Sequence, residues 1–286
     1  MNKIIIKYFY KFRHKGANEL GFSSNGNGLL LLNADYPLGK KGSIVELPKD
    51  LVIYQEVQIN GSWELGESKF LAKGLERLNS GSVKKLALLD IGANSGLVTL
   101  QALNMFKTNA DVFMFEPIGN HIEAIKSNLR EHGNVVIKPF ALSDRNGKSK
   151  IYTQVSNHGN TSLLDSLVPL EERITSEIDL VDTTDFCHKN LEKYDNFVIK
   201  CDTQGMDALI LSRIPVGIWQ KVDSAIIEVW ALPVIQEDDV SSLLANFNFF
   251  RERSWSSDFK DTLSLKDISD FWLSNSGDSK NLFLRR

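Results

Sequence analysis

Three carboxylates close apolar runs in this chain: Asp90 after Leu86-Ala-Leu-Leu, Glu116 after Val112-Phe-Met-Phe, and Asp202 after Phe197-Val-Ile-Lys-Cys. An acid at a strand end can accept hydrogens from ligand hydroxyls or stand beside a positive charge. Asp90 leads into Ile-Gly92-Ala93-Asn94-Ser-Gly96, and a helical pattern (Leu97, Leu100, Leu103, Phe106) starts at once. Strand, tight turn and helix open a nucleotide-binding βαβ unit, and glycines suit a turn where backbone and ligand approach closely.

The spacing is Gly-x-x-x-Gly, not the Gly-x-Gly-x-x-Gly that passes a pyrophosphate over a helix N-terminus. With an acid ahead of it, the loop suits a cofactor without phosphate. S-adenosylmethionine fits, because its sulfonium and ammonium groups favour acidic neighbours. Glu116 stands where an acid accepts both ribose hydroxyls, in a turn stiffened by Pro117. The same acid serves NAD, so Glu116 alone does not separate the cofactors.

Phe140-Ala141-Leu142-Ser143-Asp144 ends the third strand, where backbone N–H and a polar side chain would flank an adenine. Ser-Asp-Arg-Asn-Gly also makes an ordinary turn. Asp202 lies at the carboxyl edge of the fourth strand, near the reactive end of a bound cofactor. It can take a hydroxyl proton, orient an acceptor or, with Asp207 or Glu228, help hold a cation; equally, Asp-Thr-Gln-Gly can simply cap the next helix. His158, in a polar segment, is the candidate base among the histidines, since its ordinary pKa lies near neutrality, although most loop histidines are only solvated. His121, His132 and His188 read as surface residues on helices, and His14 has no role. No dedicated metal site is expected, and no Walker loop, Gly-x-Ser-x-Gly, His-Glu-x-x-His or Cys-x-x-Cys occurs.

The elements that must position these residues alternate regularly. Strands are expected at 86–90, 111–117, 134–140, 150–155, 174–181, 196–202, 224–230, 247–251 and 281–285. Helices fall at 64–78, 96–107, 119–132, 183–193, 205–213 and 236–246. Residues 157–162 read as a loop and 43–57 as short strand-like runs. Continuous apolar strands separated by helices imply an α/β fold with a mostly parallel sheet covered on both faces. Residues 1–60 read as a β-rich or irregular N-terminal extension, and 61–286 as the main domain.

The 286 residues, 42% hydrophobic and 24% charged with a net charge of −3, allow a sizeable core and give no sign of nucleic-acid binding. Cys187 and Cys201 read as reduced packing residues in a cytoplasmic protein. The basic, apolar stretch 1–15 is too broken for a signal-peptide core and reads as an edge strand or docking helix, with peripheral membrane contact as the alternative. No stretch approaches the about 20 apolar residues of a membrane span.

At these residues the chain resembles the FkbM family of S-adenosylmethionine-dependent methyltransferases. The shared blocks are Asp90-Ile-Gly-Ala-Asn-Ser-Gly96, Phe115-Glu-Pro117 with Asn128, Ala141-Leu-Ser-Asp144 with Gly147, Asn160-Thr-Ser-Leu163, Asp185, Ile199-Lys-Cys-Asp-Thr-Gln-Gly205 and Ile227-Glu-Val229, in order over about 64–286. The resemblance implies a class I methyltransferase (Rossmann-like) fold, with seven strands and the last antiparallel. It also implies O-methylation of a hydroxyl, commonly of a sugar in a glycan, and so a place in polysaccharide biosynthesis. One block departs from the family's usual Lys-x-Asp-x-Glu-Gly-x-Glu: Gln204 and Asp207 stand where its two glutamates would be. An NAD-dependent oxidoreductase is the rival enzyme, and a non-catalytic methyltransferase-like module in a glycan-assembly complex is the rival from another class.

Overall fold

The computed structural model describes residues 16–48, 51–79, 85–232, 237–244, 251–253, 260–261, 264–274 and 276–285. The stretch 1–15 and most of the 247–251 strand lie outside them.

Strands β1 (Ala17–Phe22), β2 (Gly28–Leu32) and β3 (Ile44–Leu47) form an antiparallel sheet, followed by helices α1 (Ile53–Asn60) and α2 (Leu65–Asn79). The α1 segment is a correction: its β-branched residues suggested strand, but Ile53, Tyr54 and Val57 fall on one helical face and are buried together. Next come β4 (Leu86–Ile91), α3 (Leu97–Met105), β5 (Asp111–Phe115), α4 (Gly119–Asn128) and β6 (Val135–Lys138). Helix α4 stops four residues before the expected 132, as Leu129 leaves helical geometry ahead of Gly133.

A second small sheet, ordered β7-β10-β8-β9, contains β7 (Ala141–Ser143), β8 (Gly147–Gln154), β9 (Asn157–Ser162) and β10 (Arg173–Asp182). Strand β9 replaces the expected 157–162 loop. Its polar residues carry no apolar alternation, and it takes its register from β8 by pairing Tyr152 with Ser162 and Thr153 with Thr161. The chain continues through α5 (Thr183–Asn190), β11 (Asn196–Cys201), α6 (Asp207–Ser212), α7 (Val216–Trp219), β12 (Val222–Trp230), α8 (Glu237–Leu244), β13 (Arg251–Arg253), β14 (Lys260–Asp261), α9 (Leu265–Trp272) and β15 (Ser279–Arg285).

The main sheet runs β14-β13-β15-β12-β11-β4-β5-β6. The five strands from β12 to β6 are parallel, and β15 is antiparallel to β12. Among the described residues it has eight strands, one more than expected, because the two-residue β14 adds an edge to β13. The strand order reverses between β4 and β11, and a crevice opens there beyond the carboxyl ends.

Both faces are covered, so the strand pleat divides the core in two. Ala87, Leu89, Ile91, Phe113, Phe115, Phe197 and Ile199 pack with Phe186, Leu211, Val240 and Trp272 from α5, α6, α8 and α9. The alternate residues Leu88, Val112, Met114 and Val198 pack with Leu71 and Leu75 of α2, Leu100 of α3 and Ile125 of α4, and this second core runs on into Leu30, Leu32 and Val45 of the first sheet.

Candidate functional site

A cavity of about 360 Å³ occupies the crevice. Gly92, Ala93, Asn94, Glu116, Pro117, Ala141, Leu142, His158 and Asp202 line it, whereas Asp90, Gly96 and Ser143 do not.

The loop after β4 is shaped mainly by its neighbours. Gly92 has φ +77, and a Cβ there would lie 1.9 Å from the Asp202 carbonyl oxygen. At Gly96, φ +76, a Cβ would meet Leu129 at 2.8 Å. The Asp202 backbone requires glycine at 92, and the positive φ favours it at both positions, so neither glycine depends on a ligand's close approach. Asn94 occupies the left-handed region at φ 49, and its Oδ1 accepts the Ser95 N–H at 2.6 Å. Asn128 braces the loop from α4, donating to the Ser95 carbonyl at 3.0 Å and accepting the Glu46 N–H at 2.8 Å.

Glu116 is 4% exposed. The Asn94 N–H reaches its Oε2 at 2.9 Å and the Ile118 N–H its Oε1 at 2.9 Å. Each oxygen keeps a further lone pair, so this backbone-held carboxylate can accept hydroxyl hydrogens. His121 is a correction to the surface reading: it is 1% exposed, with Nδ1 3.3 Å from Glu116 Oε1. The His158 ring stands 5.7 Å from it. Burial, and then His121 beside it, pushes His158 down to about 4. That makes His158 a weak base at neutral pH, at the Glu116 side of the cavity.

Asp90 lies under the cavity floor. Its Oδ2 accepts the Thr99 hydroxyl at 2.6 Å, and its Oδ1 is 3.4 Å from Lys200 Nζ. Lys200 also donates to the Gly92 carbonyl at 3.1 Å and stands 3.5 Å from Asp202 Oδ2. Burial opposes its charge, but the Asp90, Asp202 and Glu64 carboxylates outweigh burial and hold Lys200 protonated.

Asp202 does not cap α6. That helix begins at Asp207 with no side-chain cap, and Asp207 itself accepts the Thr203 N–H at 3.0 Å and the Gly205 N–H at 3.3 Å. The Asp202 side chain remains 28% exposed and takes the Gln204 amide at 2.8 Å. Burial and then the Asp202 charge raise three neighbours: Asp207 to about 6, Glu64 to about 8, and Glu228 well above the ordinary range. Glu64, Lys200, Gln204 and Glu228 all line the cavity. No role was read for Glu64 or Lys200 from the sequence, since neither carries a local signal of its fold neighbours. Among the described residues, no three His, Cys, Asp or Glu side chains are grouped to hold a metal ion. The described cysteines, Cys187 and Cys201, are buried and free, and no described helix is long and apolar enough to cross a membrane.

No family model and no curated protein matches the chain. Solved structures similar to it include an S-adenosylmethionine-dependent methyltransferase from Agrobacterium tumefaciens (9% identity, TM-score 0.44, covering 98% of this chain and 79% of that one). A precorrin-6y C5,15-methyltransferase from Geobacter metallireducens is 13% identical, with TM-score 0.37 over 84% of this chain and 92% of that one. Aeropyrum pernix fibrillarin, in complex with natively bound S-adenosyl-L-methionine, is 13% identical, with TM-score 0.35 over 94% and 98%.

Proposed function

We propose that the chain is an S-adenosylmethionine-dependent O-methyltransferase acting on a hydroxyl of a sugar in a glycan or glycoconjugate, akin to the FkbM family. The observation that carries the reading is the polarity of the cavity. Glu116, pinned by backbone N–H groups at one side, would accept the ribose hydroxyls. Glu64, Asp202 and Glu228 line the cavity, with Lys200 as the one lysine or arginine of its lining among the described residues. Glu64 and Glu228, raised by burial and the Asp202 charge, offer carboxyl oxygens to an ammonium there, and a nucleoside ending in a sulfonium and an ammonium fits beside the Asp202 charge. The residues present fit this cofactor: Gly92, Ala93 and Asn94 would face its middle, Glu116 and Pro117 its ribose, and Ala141 and Leu142 its adenine. Asp90 and Gly96 support the loop from behind, and Ser143 supports the adenine strand.

Bound there, the cofactor would supply an activated methyl group. The protein's part is alignment of an acceptor oxygen with that methyl, which can contribute roughly 7–11 kcal/mol in favourable cases. Asp202 is the base that receives the hydroxyl proton. Trp63 and Trp230, with Asn160 and Asn281, also line the cavity. Indole faces and side-chain amides suit a sugar's apolar ring face and its hydroxyls. Residues 1–60 serve as an extension of the 61–286 unit, contributing Val52 and Ile53 to the cavity lining. Incubation with labelled S-adenosylmethionine and fractionated cell-envelope glycans tests the acceptor: label in a glycan fraction supports it, and label confined to protein or small amines contradicts it.

A further inference from the structure

One side chain in the cavity wall makes an arrangement that neither capping nor packing requires. The Gln204 amide nitrogen lies 2.8 Å from Asp202 Oδ1 and 2.8 Å from Glu228 Oε2. A primary amide nitrogen carries two hydrogens, so each carboxylate receives one. Gln204 holds this position from the left-handed region, at φ 51, which costs a non-glycine residue energy. Its main-chain carbonyl accepts the Ser162 hydroxyl at 2.6 Å, which ties the end of β9 to the loop after β11. Asp202, Gln204 and Glu228 all line the cavity. Two carboxyls on one nitrogen are close enough for the charge of one to govern protonation of the other.

We propose that Asp202 and Glu228 form a single proton-accepting unit for the acceptor hydroxyl, and that Gln204 is the positioning residue that joins them. The proposal rests on the methyltransferase reading. In the step, the hydroxyl oxygen bonds to the methyl carbon, and the carbon–sulfur bond breaks with its electron pair left on sulfur. The hydroxyl proton passes to Asp202 Oδ2, the oxygen that Gln204 leaves open. The charged groups facing the pair are Lys200 from β11, Asp90 from β4, Asp207 from the start of α6, and Glu64 ahead of α2. Lys200 is 3.5 Å from Asp202 Oδ2 and stabilises its charge, while burial and the Asp202 charge keep Glu228 protonated well above the ordinary carboxylate range. A glutamate at 204 would offer a third acceptor and no donor, so the amide, not the acid, suits this position.

Carbon-13 NMR titration of the Asp and Glu carboxyls in the full chain tests the unit. In the unaltered protein, Asp202 and Glu228 should each report both titration steps. Gln204→Leu removes two donors to the charged forms and should move the shared midpoint up by about one pH unit. Gln204→Glu, nearly isosteric, should add a third step, and it serves if the leucine variant fails to fold. Independent single-step curves overturn the proposal, as does a Gln204→Leu curve that is unchanged while only the melting temperature drops. Calorimetry of the unaltered protein with S-adenosylmethionine is run alongside. Absence of binding there overturns the methyltransferase reading, and with it the hydroxyl as proton source. Binding with uncoupled carboxyls overturns the unit alone.

Discussion

The cavity has two acidic regions, and they are built from different material. Glu116 is held by main-chain N–H groups of Asn94 and Ile118, within the β4 and β5 loops. Asp202, by contrast, is held by side chains, with the Gln204 amide on one oxygen and the Lys200 ammonium near the other, and Glu64 and Glu228 come from segments distant in sequence. Backbone donors fix a carboxylate wherever the loop folds. Side-chain donors let its proton affinity be tuned residue by residue. The first construction suits constant recognition of a cofactor and the second suits proton transfer.

Substitutions beneath the two regions should have the largest effects, and these fall on stability. Gly92→Ala drives a Cβ to 1.9 Å from the Asp202 carbonyl at a positive φ. It should cost about 3 kcal/mol or more, read as a lowered urea midpoint. Asp90→Ala leaves Lys200 without one of its buried partners and should cost about 3–5 kcal/mol by the same measurement. A near-normal midpoint in either variant would break the claim that packing, rather than a ligand, sets the loop.

Glu116→Ala comes next. Loss of a charged acceptor for two hydroxyls should weaken S-adenosylmethionine binding roughly 10- to 100-fold, measured by calorimetry. Asp202→Asn should suppress transfer far more than it weakens that affinity. Equal losses of affinity in the two variants would erase the distinction between the regions.

The pH effects on stability are opposite in sign in the two regions. Folding raises Glu64 from 4.5 to about 8, so the folded state keeps a proton that the unfolded chain releases. The stability this contributes is complete below about 4.5 and is lost as pH rises toward 8. Glu64→Gln should flatten that slope in unfolding free energies measured between pH 5 and 8. Folding lowers His158 from 6.5 to about 4, so its contribution is present above about 6.5 and is lost as pH falls toward 4. His158→Asn should flatten the acid side and leave transfer at neutral pH nearly unchanged, since a histidine so hard to protonate is a poor base.

The contrast also explains what the sequence could reveal. Asp90, Gly92, Gly96 and Glu116 lie in local strand-turn-helix patterns, so their position at the sheet's carboxyl edge was legible from spacing alone. The parallel sheet was legible for the same reason, because each strand buried on both faces reads as a continuous apolar run. Glu64 and Lys200 join the site only when α2 and β11 come together around β4, and no local pattern encodes that. Strand β9 was read as a loop because its polar residues line a cavity and not a core. His121 was read as surface because helical spacing alone does not say which face the first sheet and β9 would cover.

Isothermal calorimetry of the full chain with S-adenosylmethionine, and separately with NAD, tests the central claim most directly. The methyltransferase account requires saturable binding of S-adenosylmethionine that Glu116→Ala weakens at least 10-fold, with no saturation by NAD. Saturation by NAD alone, or S-adenosylmethionine affinity untouched by Glu116→Ala, would contradict it.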